Sequence, residues 1–227
     1  DDNRYLFISA ANSTSGNELY LKYLSVPNSP IVAIHKGFEY DVDVLDNIGT
    51  TLFIVTNLKA PNKRIVTVDV ANPGVENWKD LIPETEQVLN PSTGAGYIFA
   101  NYMKDAVSVV KQFDYKGKLI RTIALPGVGT ASGFGGKAKD KELYFSFTNY
   151  VTPGTTYTFF PDSGKSSVYV KPKVDFVSEN YESKQVFFTS KDGTKVPMII
   201  THKKGLQLNG KNPTILYGYG GFNVSLT

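Results

Sequence analysis

Leu52-Phe53-Ile54-Val55 is a short apolar run, and three other stretches of the chain repeat it: Tyr5-Leu6-Phe7-Ile8, Tyr97-Ile98-Phe99-Ala100 and Leu143-Tyr144-Phe145-Ser146. The four starts are 47, 45 and 46 residues apart. Aromatic and β-branched residues in runs of this length read as buried strands. Each run is followed by a polar turn and a second, alternating strand, over Leu19–Leu24, Arg64–Val70, Val107–Phe113 and Thr155–Phe160. The connections hold turn formers: Asn12 to Asn17, Lys59 to Lys63, Lys104-Asp105 and Thr152-Pro153-Gly154. Further short strands are expected at Tyr40–Val44 and Lys118–Thr122.

A period near 45 residues that holds about four strands is the repeat of a β-propeller blade. A sandwich has similar strand content but does not need near-constant spacing, and no sustained 3.6-residue periodicity supports a helical solenoid. The count comes to about three and a half blades. Blades bury their flat faces on their neighbours, so a partial ring leaves apolar faces bare. The expectation is therefore a portion of a larger propeller.

Composition narrows the functional classes. Apolar residues make up 41% and charged residues 20% of the 227, which suits a chain with a real core. The 24 basic and 21 acidic residues leave a net charge of +3 with no basic stripe, Lys203-Lys204 being the densest pair, so no nucleic-acid partner is expected. Without Cys there is no disulfide and no thiolate chemistry, and two His leave no zinc set, so neither metal nor cofactor is expected. No apolar run reaches the ~18 residues of a membrane span, and no signal segment precedes the first strand. A cytoplasmic and a bacterial periplasmic location both fit.

After Val170 the blade period stops. Lys171-Pro172-Lys173 reads as a linker, which divides the chain into a propeller portion over 1–173 and a second portion over 174–227. The second portion opens with a hairpin, Lys184–Ser190 and Lys195–His202, around Asp192-Gly193, a pair suited to a tight turn that needs positive φ. Thr214-Ile215-Leu216-Tyr217 is apolar without alternation, the pattern of a central strand covered on both faces. Gly218-Tyr219-Gly220-Gly221-Phe222-Asn223 follows it. This loop matches neither G-x-G-x-x-G nor a Walker-type loop, and a tyrosine within it obstructs close approach to a phosphate. An ordinary glycine turn and the oxyanion loop after the third strand of an α/β-hydrolase both remain.

Ile215 to Asn223 resembles the signature of the prolyl oligopeptidase family at this place. Ser190 to Met198 and His202 to Gly205 are similar to the hairpin that leads into the family's peptidase domain. Trp78 to Glu84 and Phe147 to Gly154 are similar to its later blades. The resemblance implies a seven-bladed propeller capping an α/β-hydrolase domain, here mainly β and truncated, with cleavage of short peptides on the carboxyl side of proline. It also implies short proline-containing peptides as partners and a monomeric parent. Tyr219 matches the family's oxyanion-hole tyrosine, and Phe222 matches an aromatic of the proline pocket.

The triad does not accompany them. No Gly-x-Ser-x-Gly occurs, and Gly129-Thr130-Ala131-Ser132-Gly133 has the wrong spacing. In these hydrolases the order is Ser, Asp, His, all after the oxyanion loop, so the chain alone is expected to be inactive. His35 and His202 read as structural or solvated, and Glu84 and Glu86 have no partner base. Asp41-Val42-Asp43-Val44-Leu45-Asp46 falls short of a calcium loop because Leu45 stands where an oxygen ligand is needed; alternating Asp and Val on a strand with one wet face explains it. Asn12-Ser13-Thr14 and Asn223-Val224-Ser225 match the glycosylation pattern, which has no consequence without secretion. The reading of a different class is a non-catalytic propeller that binds peptides or proteins. The peptidase reading places Thr214–Tyr217 inside a hydrolase-type sheet.

Overall fold

A computed structural model describes residues 3–221 and 226. Almost all regular structure is antiparallel strand paired with its neighbour in sequence. The first sheet holds β1 (Tyr5–Ala10), β2 (Glu18–Tyr23) and β3 (Val32–His35). The second is β4 (Val42–Ile48), β5 (Thr51–Thr56), β6 (Arg64–Asp69) and β7 (Lys79–Ile82). The third is β8 (Val88–Gly94), β9 (Tyr97–Lys104), β10 (Val107–Phe113) and β11 (Leu119–Thr122). The fourth is β12 (Thr130–Gly133), β13 (Leu143–Thr148), β14 (Thr155–Phe160) and β15 (Lys165–Val170). Last comes a separate hairpin of β16 (Tyr181–Thr189) and β17 (Lys195–Lys203).

The four repeated runs are β1, β5, β9 and β13, so each repeat marks the same place in one blade. Expected strand ends move by up to four residues, as for Tyr40–Val44, where the strand is Val42–Ile48.

Apolar cores between successive sheets hold the stack together, and they explain why β5 does not alternate between polar and apolar. Leu52 and Ile54 pack with Leu19, Leu21 and Ile34 of the first sheet. Phe53, on the opposite face of β5, packs with Leu89, Ile98 and Tyr102 of the third. A blade with neighbours on both sides needs apolar residues at consecutive positions. The fourth sheet has only one such neighbour: Leu143, Phe145 and Phe147 are buried, while Tyr144 between them and all of β15 are exposed.

Side chains close the seams where strands of different blades meet. Asn17 behaves as a short piece of strand: its Oδ1 accepts the Val42 N–H at 2.9 Å and its Nδ2 donates to the Val42 carbonyl at 2.9 Å. Between the third and fourth sheets, Asn101 donates to the Ala131 carbonyl at 2.8 Å, and the Ser108 hydroxyl accepts the Ala131 N–H at 3.0 Å. Gly16 has no room for a side chain, since a Cβ there would lie 1.8 Å from the Phe38 carbonyl oxygen, at φ +77°.

The expected hairpin forms, and residues 190–194 close it as a three-residue turn with a bulge. The Gly193 N–H donates to Ser190 O at 3.0 Å, the Ser190 N–H donates to Thr194 O at 2.9 Å, and in this turn Gly193 alone has positive φ. Asp192 therefore keeps ordinary backbone geometry and uses its carboxylate to accept the Thr194 N–H at 3.0 Å. One expectation needs correction, that for Thr214–Tyr217, which is in no sheet: Ile215 is 94% and Leu216 87% exposed. Among the described residues no hydrolase sheet is present. A central strand needs a hydrogen-bonded neighbour on each edge and cover on both faces, and no strand stands beside this run.

Candidate active-site loop and its surroundings

Tyr219 lies in the glycine-rich loop after the exposed run, with about half of its surface open to solvent. Its ring lies near Gly221, where a built Cβ would sit 3.6 Å from the phenol oxygen. Neither Gly218 nor Gly220 has other atoms near its Cβ position, which leaves the loop free of packing constraints. Phe222 lies outside the described residues, as does Asn223. The structure therefore brings together Tyr219 and Gly221, and no described nucleophile, base or acid joins them.

The histidines take structural positions. His35 ends β3, is buried, and packs edge-on near Tyr40 with ring centroids 6.4 Å apart. Burial lowers its pKa, partly offset by the charges of Glu39 and Glu18. It lines a cleft of about 410 Å³ between the first two blades with Ile34, Leu58 and Glu76, and Tyr219 is not among the residues that line it. His202 stands across the hairpin from Glu182, its Nε2 3.7 Å from Oε1. The Glu182 carboxyl is held below its ordinary value, first by the hydrogen bond from Lys184 and also by the charges of Lys184, His202 and Lys204. Glu84 is a local brace: its Oε1 accepts the Asn62 N–H at 2.6 Å.

The Asp-rich stretch has a role that alternation missed. A bulge between Val44 and Asp46 breaks the period and turns Asp46 toward the third blade. There the Tyr115 hydroxyl donates to the Asp46 carboxylate. Burial first, and the bond to Asp46 second, push the Tyr115 phenol well above its ordinary value. The ring also packs edge-on against Phe53 at 4.9 Å. Asp41 is similarly engaged, accepting the Gly16 N–H at 2.9 Å and pairing with Lys63 at 3.3 Å. Both carboxylates tie blades together. Among the described residues no group of three or more His, Cys, Asp or Glu is placed to hold a metal, and no helix is long and apolar enough to cross a membrane.

Comparison with known proteins places this architecture. The family model described as the prolyl oligopeptidase N-terminal β-propeller domain matches residues 1–172. The chain belongs to the prolyl oligopeptidase family. A prolyl endopeptidase from Elizabethkingia miricola is 58% identical over 226 residues, covering all of this chain and 32% of that protein. One from Elizabethkingia meningoseptica is 57% identical with the same coverage. A solved structure from work on two prolyl endopeptidases and the role of inter-domain dynamics superposes with a TM-score of 0.87 at 37% identity, over 99% of this chain and 33% of that one. The apo form of prolyl oligopeptidase B from Galerina marginata superposes with a TM-score of 0.83 at 28% identity, over 97% of this chain and 33% of its own. The chain thus spans about a third of the length of the relatives it matches.

Within this family frame, the blade sheets over residues 5–170 are oligopeptidase propeller.

Proposed function

We propose that the parent of this chain is a serine oligopeptidase that hydrolyses short peptides on the carboxyl side of proline, and that residues 1–227 alone are inactive. The reading is carried by the Tyr217-Gly218-Tyr219-Gly220-Gly221-Phe222 loop, found in a chain whose family and relatives are prolyl oligopeptidases and prolyl endopeptidases. A serine outside these residues attacks the carbonyl of the proline residue, with a His as base and an Asp orienting it. The Tyr219 phenol O–H donates to the developing oxyanion together with a backbone N–H beside the nucleophile. Phe222 packs a flat ring on the pyrrolidine, which has no side-chain donor to satisfy. The propeller over 1–173 restricts access, the segment over 174–227 begins the peptidase domain, and the parent acts as a monomer without cofactor, nucleic acid or membrane.

Labelling the full-length protein with a serine-reactive phosphonate tests this against a propeller that only binds peptides. Stoichiometric labelling, blocked by a proline-containing peptide, is expected; an unlabelled protein that still binds such peptides overturns the enzyme reading. Phe222→Ala is expected to reduce kcat/KM for proline substrates by roughly 10-fold or more, the scale of losing ~1.5–3 kcal/mol of apolar contact. A generic ester that leaves the pocket empty should lose far less. Equal losses on both substrates remove Phe222 from the pocket.

A further inference from the structure

Before the hairpin β16–β17 come seven residues, Lys171–Val177, that carry no helix or strand and are largely exposed, and then a single 3-10 turn, Ser178–Asn180. Such a tether sets the reach of the hairpin but leaves its direction open. The ion pair in this stretch is loose, with Lys171 Nζ 3.9 Å from Glu179 Oε1 and both side chains more than half exposed, so it contributes little. A direct contact with a blade narrows how the hairpin sits on the propeller.

One contact has the right chemistry. Gln185, midway along β16, donates its side-chain amide to the backbone carbonyl of Asp105. Asp105 and Ala106 form the turn joining β9 to β10, and Lys104 pairs directly with Val107. Both turn residues have positive φ, +51° and +64°. In a two-residue turn of this kind the peptide carbonyl between the central residues points out of the hairpin and takes no part in its ladder. Positive φ at two residues with a Cβ also costs conformational energy, which Asn-Gly or Asp-Gly would lower. A carbonyl can only accept, so the amide nitrogen of Gln185 must face it. The bond reaches from beyond the matched propeller residues, 1–172, back to the third blade.

We propose that Gln185 and the Asp105-Ala106 turn form a docking clamp that fixes the hairpin against the third blade and so sets the angle at which the chain leaves the propeller. The Gln185 donor recognises the outward carbonyl, and the turn holds that carbonyl at a set position because two successive left-handed residues permit few alternatives.

Hydrogen exchange on the full-length protein tests the clamp, comparing amides of 181–203 with those of 97–113. Gln185→Glu keeps the shape but sets a carboxylate oxygen against the carbonyl, whereas Gln185→Lys keeps an N–H donor. The Glu variant is expected to speed exchange in 181–203 about 3- to 10-fold, the range of one lost hydrogen bond, with 97–113 unchanged. The Lys variant should remain within about twofold of the parent on that scale. Wild-type exchange in the Glu variant, equal values in the two variants, or a rise of the same size in both segments overturns the clamp.

Discussion

Tyr219→Phe in the full-length protein is expected to lower kcat by roughly 10²–10³ with little change in KM, the cost of removing one oxyanion-hole donor. The substitution deletes one oxygen and keeps the ring, so loop packing is preserved. KM is spared because the phenol bonds strongly only when charge develops on the carbonyl oxygen. Steady-state kinetics on a short proline substrate checks this, and full activity in the variant withdraws Tyr219 from the site. Tyr219 is half exposed in this chain, with its hydroxyl near Gly221.

The second large effect concerns stability. Phe134 is 1% exposed and stacks on Phe145 at 4.6 Å with an interplanar angle of 9°, and on Phe99 at 5.5 Å. It also meets Phe159 edge-on at 5.4 Å. These four rings form the centre of the core between the third and fourth sheets. Phe134→Ala is expected to cost about 3–5 kcal/mol, from lost transfer free energy plus the cavity left in a rigid seam. The backbone gives nothing back: φ at Phe134 is +63°, and alanine, which also has a Cβ, bears the same strain. Denaturant unfolding followed by near-UV circular dichroism should show an early transition of the aromatic signal, with Phe134→Leu intermediate. An unchanged midpoint in Phe134→Ala means that the core closes over the gap.

The same residue shows where sequence reasoning reaches its limit. Nothing in Gly133-Phe134-Gly135 announces a left-handed aromatic at the middle of a seam. Its conformation follows from ring stacking with residues 11, 25 and 35 positions away in sequence, at Phe145, Phe159 and Phe99. Asp46 gives the same lesson. Alternation predicted a wet carboxylate, but the bulge turned it toward Tyr115, 69 residues on. Phe187 and Phe188 read as ordinary strand residues, and only the structure shows that they are half exposed on an isolated hairpin.

What the sequence determined by itself is the blade. Strands pair with their neighbours in the chain, so spacing, turn residues and apolar runs within about 45 positions contain the information, and β5, β9 and β13 fall where the repeat placed them. The glycine loop around Tyr219 was equally legible, because its signal is a local string of residue types. Tertiary structure alone decided which face of each blade meets which neighbour, how buried carboxylates and amides join the seams, and that Thr214–Tyr217 is not a strand here. These depend on partners distant in sequence: a strand exists only beside another strand, and an apolar pattern does not state whether that partner is present.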